Sequence, residues 1–210
     1  MVDRVIPTIN IAALFDTDSR SDNVLAETDL AVFEAATTLG FMTITGLPHA
    51  ADIGASAKHT LTTLFTLPAE AQRRLWKRNF EPDNPNLYRG WFPLHSGPTL
   101  SREGFEIGPD IVRGLPNPTK DVLLEPTPLP SDAALPHFRA VAGRYYSAME
   151  AIGSALLASL SRSLGISPTV FRDAFTEGIS TLRLLRYIPR DDLPISDALK
   201  TTRGAHVDTG

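Results

Sequence analysis

Between Ser131 and Leu164 the chain repeats large side chains at three- and four-residue steps: Phe138, Val141, Tyr145, Met149, Ile152, Leu156 and Leu160. That spacing draws one stripe along a helix of roughly nine turns, too wide and too apolar to be left in water. Gly165 stands where such a helix would stop. The rest of the chain must therefore supply a layer that covers this stripe, and that requirement limits the fold more than any other stretch does. Composition agrees with a packed domain, since 42% of the 210 residues are hydrophobic and 21% charged. A net charge of −4 gives no footprint for nucleic acid. No apolar run approaches the roughly 18 residues of a membrane span or the pattern of a signal peptide, so neither a membrane nor a secretory route is indicated. The cytoplasm is the expected location. With no cysteine in the chain, thiolate metal sites and cysteine nucleophiles are excluded, and any metal must be held by His, Asp or Glu.

Ahead of the long helix the chain alternates between helical and extended patterns. "VIPTINIAAL" reads as a short strand, with Pro7 marking an edge. A helix is predicted over Val24 to Leu39, with Leu30 and Phe33 on its apolar face and Gly40 as its stop. "FMTITG" is a strand, and helices should follow from Ala51 to Phe65 and from Pro68 to Arg78. The cluster from Arg73 to Arg78 then falls on a solvated helix face, with a substrate or partner surface as the other reading. Residues 79–114 are rich in loops, with short strands near Tyr88 to Phe92 and Gly104 to Ile107. After the long helix, a short one from Pro168 to Phe175 is capped by Ser167. "STLRLLRYIP" and "RGAHVDTG" then return to strand periodicity. Arg183 and Arg186 flank the first of these, where pairing with solvent or a carboxylate is the plain expectation.

His206 and Asp208 stand two apart in the second of those strands, so both would project from one face. A histidine and a carboxylate so placed make two thirds of the two-His-one-carboxylate triad that leaves positions open on Fe(II). Chance supplies roughly a third of one His-x-Asp in a chain of this composition, so a surface histidine beside a carboxylate is the alternative that spacing alone leaves open.

Taken in order, longer stretches carry more information. "IPTINIAAL", "AATTLGFMTITGLP", "YRGWFPL" with "EGFEIGPD", the Ser131 to Gly165 helix, "LRLLRYIPR" and "GAHVDTG" together resemble the isopenicillin N synthase-like family of non-haem iron oxygenases, mostly dependent on 2-oxoglutarate. The resemblance covers essentially the whole chain. It implies an α+β fold: an N-terminal mixed α/β region over residues 1–130, then a long support helix leading over residues 131–210 into an incomplete double-stranded β-helix, or jelly roll. It implies Fe(II) held by His206 and Asp208, with 2-oxoglutarate as cosubstrate, and oxidation of a small organic substrate by dioxygen as hydroxylation, desaturation or cyclisation.

The same resemblance puts Tyr187 towards cosubstrate or substrate, although Leu185 and Arg186 stand where an asparagine often precedes it; a half-buried strand tyrosine is the other reading. Arg89 in "YRGW" sits where some members contact a substrate carboxylate, against a structural loop arginine. The family's second histidine and its Arg-x-Ser would fall after Gly210, in a further roughly 80 to 100 residues of strands. His49, His59, His95 and His137 match no ligand position. The competing expectation is therefore a truncated or degenerate, catalytically inactive family fragment acting at most as an interaction module. Substrate and oligomeric state stay open.

Overall fold

The computed structural model describes residues 5–16, 18, 21–48, 50–94, 102–114, 121–176 and 178–187. In chain order the elements are β1 (Thr8–Asn10), α1 (Asp22–Thr38), β2 (Thr43–Thr45), α2 (Ala50–Ile53), α3 (Ala55–Thr62), α4 (Ala69–Arg73), β3 (Gly90–Phe92), β4 (Arg102–Ile107), α5 (Asp110–Arg113), α6 (Phe138–Ser163), α7 (Thr169–Phe175) and β5 (Leu182–Tyr187). The result is a mixed helix and sheet protein with two compact units. One comprises residues up to 57 and 143–178, the other 58–142 and 179 onward. Among the described residues no helix is long and apolar enough to cross a membrane.

In the first unit β1 and β2 pair in parallel, with Ile9 opposite Ile44. Gly46 turns the chain after β2 at φ +70°, and a Cβ there would lie 1.9 Å from Asn10 Oδ1, so only glycine fits. Ser21 caps α1 by accepting from the Val24 N–H at 3.3 Å. Gly40 ends the helix in the left-handed region, donating to Ala35 O at 2.9 Å. The core is aliphatic: Ile9, Ile11, Val32, Ala35 and Ile152 are buried together, with Leu156 and Leu160 packed against them. Asp29 is the charged exception, clamped by Arg162 through Nε at 2.6 Å and Nη2 at 2.7 Å.

Two apolar faces are rotated from their sequence expectation. Leu30 is 55% exposed, and α1 instead buries Thr28, Val32 and Ala35, a stripe that also brings Asp29 to Arg162. On α6, Met149 is exposed, while Ala142 and Tyr146 are buried in place of Val141 and Tyr145. Small alanines at 142 and 148 permit close packing that a search for large residues passes over. The helix also begins later than expected, at Phe138, because the chain reaches it through turns and through His137 at a positive φ.

The second unit is built on an antiparallel sheet in the order β3-β4-β5. Trp91 lies opposite Phe105, and Phe105 opposite Leu184. Phe65, Trp91, Phe105 and Phe138 meet edge to face in sequence, with centroids 5.2, 6.4 and 6.4 Å apart. The helix expected from Pro68 to Arg78 stops at Arg73. From Leu75 the backbone runs beside β3 instead, with Trp91 N donating to Leu75 O at 2.7 Å and Lys77 N to Trp91 O at 2.9 Å. Sheet pairing outweighs helical propensity there. The expected single helix from Ala51 to Phe65 is likewise divided, into α2, α3 and a 3-10 turn over Thr63–Thr66.

Candidate functional site

Strand alternation sorts the side chains of the three-stranded sheet into two faces. Glu103, Phe105 and Ile107 of β4 share a face with Trp91 of β3 and with Leu182, Leu184 and Arg186 of β5. Arg102, Gly104 and Glu106 share the other with Phe92, Arg183, Leu185 and Tyr187. Each face holds one buried glutamate opposite an arginine of β5.

On the first face Glu103, 4% exposed, accepts from Trp91 Nε1 at 3.1 Å and pairs with Arg186. Arg186 also donates to Phe65 O at 3.1 Å and lies over the Phe65 ring. On the second face Glu106, 2% exposed, is held from both sides: Arg183 Nε donates to Oε1 at 2.7 Å, and Lys77 pairs with Oε2. The Lys77 ammonium in turn sits 5.3 Å from the ring centroids of both Tyr88 and Phe92. So Lys77 is not on a solvated helix face, as the sequence suggested; its side chain is 13% exposed and belongs to this cluster. Arg73 and Arg74 of the same run are exposed.

Arg89 is fully buried. Its Nη2 donates to Leu123 O at 2.7 Å and its Nη1 to Thr181 Oγ1 at 2.6 Å, while Nε reaches Leu123 O at 3.2 Å. The Glu125 carboxylate collects the backbone N–H groups of Leu87, Tyr88 and Arg89 and fixes the loop that carries this side chain. A Cβ at Gly108 would lie 2.8 Å from Arg89 Nε, so any other residue there would displace the guanidinium. Asp110 completes the network by accepting from Thr127 N at 2.9 Å and Thr127 Oγ1 at 2.6 Å.

Tyr187 ends β5 on the second face, opposite Arg102, with 49% of its surface exposed. His206 and Asp208 lie outside the described residues, as do His49 and His95. His59 and His137 are exposed, and among the described residues no three His, Asp or Glu side chains are placed to hold a metal. The sheet thus brings Tyr187 and Arg183 to one face, while Arg89 is bonded within the unit. Sequence reasoning passed over Glu103 and Glu106 and put Lys77 on the wrong surface. The available signal was a pair of glutamates inside a strand of otherwise apolar and small residues, "EGFEI", facing two arginines in "LRLLRY".

This architecture has counterparts among solved structures. It superimposes on a C-terminally truncated protein from Neurospora crassa, solved in apo form, with a TM-score of 0.66 at 23% identity, covering 87% of the chain and 62% of that protein. A 2OG-Fe(II) oxygenase family protein from Caulobacter crescentus gives a TM-score of 0.67 at 19% identity, over 92% of the chain and 58% of the other. The fold is therefore one found in 2-oxoglutarate–Fe(II) oxygenases.

In sequence, the chain is 28% identical over 217 aligned positions to the 2-oxoglutarate-dependent dioxygenase traH of Penicillium crustosum, covering 99% of the chain and 62% of that protein. It is 24% identical to isopenicillin N synthase of Streptomyces clavuligerus, over 90% of the chain and 57% of that enzyme. No family model matches. The resemblance to the isopenicillin N synthase-like oxygenases is borne out, and the chain spans 62% and 57% of the length of these two relatives.

Proposed function

We propose that the protein carrying this chain is an Fe(II)- and 2-oxoglutarate-dependent dioxygenase that oxidises a small organic molecule. The observation that supports this best is the likeness to a 2-oxoglutarate-dependent dioxygenase along 99% of the chain. Small molecules suit the reading, since the full-length form of the Neurospora protein has been solved in complex with alpha-KG and thymine. The inactive-fragment reading is not favoured, because the relatives in sequence bear the names of 2-oxoglutarate-dependent dioxygenases and of isopenicillin N synthase.

In this proposal residues 1–130 form an N-terminal domain, and residues 131–210 a support helix and the first strands of a jelly roll. His206 and Asp208 would hold Fe(II) from one face of a strand; an imidazole and a carboxylate are the donors that ion takes. Iron with 2-oxoglutarate and dioxygen would supply the oxidising chemistry, and the chain would supply position and exclusion of water. Tyr187 would face the cosubstrate or substrate. Arg89 would reach a substrate carboxylate only by giving up a bond such as that to Thr181 Oγ1 or Leu123 O. A cytoplasmic setting, which the absence of cysteine permits, belongs to the same proposal.

The test is anaerobic Fe(II) titration of the full gene product, followed by oxygen uptake on adding 2-oxoglutarate. One equivalent bound and uptake lost in His206→Ala and Asp208→Ala is the expected result. Unchanged iron binding in both variants would remove these residues from the site.

A further inference from the structure

We infer that Arg183 is a recognition residue for an anionic substrate, selecting molecules that carry a carboxylate on an apolar body. This deepens the oxygenase reading and rests on it for the word substrate. Glu106 is buried, and Lys77, itself 13% exposed, already neutralises it through Oε2. Arg183 adds a second positive charge to the same carboxylate, leaving the three-residue cluster with one unit of positive charge in excess.

An exposed salt bridge would leave both partners in water, but here the Glu106 side chain is 2% and the Arg183 side chain 46% exposed. Glu106 therefore acts as a buried anchor. It fixes the Nε and Nη2 edge of Arg183 and leaves Nη1 as the remaining donor group. Among the described residues no acceptor meets Arg183 Nη1. A guanidinium held on one edge and open on the other is preorganised for a second oxyanion, which it can take in a planar two-point contact.

The surroundings indicate the body of the ligand. Leu185 and Tyr187 lie on the same face of β5 as Arg183, and Phe92 covers that face at β3. A Cβ at Gly104 would fall 2.3 Å from Phe92 Cζ, so the ring lies across β4 on this side of the sheet. Arg102 lies on the same face, opposite Tyr187. Apolar and aromatic surface beside cationic groups suits a carboxylate on an apolar body better than a neutral molecule.

Benzoate and benzamide, identical but for charge, probe this in the full gene product without iron, with binding followed by calorimetry and by the Arg183 Nε–Hε resonance. Benzoate should bind, benzamide at least about tenfold more weakly. Arg183→Gln should abolish the preference, and Arg183→Lys should keep part of it, since an ammonium supplies charge without the planar fork. A preference that survives Arg183→Gln in a variant melting like the parent would overturn the inference, as would its absence from the parent. 2-Oxoglutarate affinity of the iron-loaded protein should be unchanged in Arg183→Gln; a tenfold loss would make Arg183 a cosubstrate residue and overturn it too. Because the benzoate measurement needs no iron, a protein that shows the preference but no oxygen uptake would sink the oxygenase reading alone and leave the anion site standing.

Discussion

The two units are stabilised in different ways. The first packs Ile9, Ile11, Val32, Ala35 and Ile152 against one another and confines its main charged contact to the Asp29–Arg162 clamp. The second surrounds an aromatic chain with Arg89, Glu103, Glu106 and Asp110, all buried. Burying apolar area stabilises in rough proportion to the area and tolerates exchange of like for like. Burying charge costs desolvation that a partner must offset with good geometry, so such clusters are weak as sources of stability and strict about position. An aliphatic core serves as scaffold, whereas the ionic one fixes where particular side chains point.

Substitutions can sharpen this contrast or break it. The largest effect is expected for Glu106→Gln, which leaves Lys77 and Arg183 facing each other without their carboxylate and should cost about 3–5 kcal/mol in denaturant unfolding. Hydrogen exchange should show the loss at β3 to β5; an equal loss across α1 would mean that the units do not differ in this way. Ile152→Ala comes next, at about 2–4 kcal/mol from lost contact and a residual cavity. Ile152→Val should recover most of that, as expected of a core that counts volume. Ser21→Ala removes a helix cap whose bond is long, 3.3 Å, and should cost about 0.5–1 kcal/mol by thermal melting. Smallest is Glu70→Ala, which breaks an exposed i,i+4 pair with Arg74 and should change stability by no more than about 0.5 kcal/mol.

The contrast also explains what could be read from the sequence. α1, β2, α6 and β5 announce themselves through local periodicity, and Gly40 and Gly165 through their place at the end of a helical pattern, where each adopts a positive φ. The end of α4 was hidden, because what stops it is pairing between Leu75 to Lys77 and Trp91, a neighbour brought in by the tertiary fold. Glu106 was hidden for a stronger reason: its partners lie 29 residues before it and 77 after it, and no local pattern reports a contact at that range. Leu30 and Met149 mislead because size alone does not mark burial; Ala35, Ala142 and Ala148 mark the close approaches. Of the candidate site, the strand bearing Tyr187 was legible as a strand, and His206 and Asp208 fall outside the described residues.

Gly104 gives the sheet face beside Arg183 its contour by contributing no atoms to it. The ring of Phe92 occupies the space a side chain would take, with Leu184 O only 2.8 Å from the same point. Even alanine would have to move the ring or part the strands. The breadth of ligands this face admits is therefore open to change by one methyl group, with every charge left in place, and a Gly104→Ala variant would reveal it as altered preference among carboxylates of different girth.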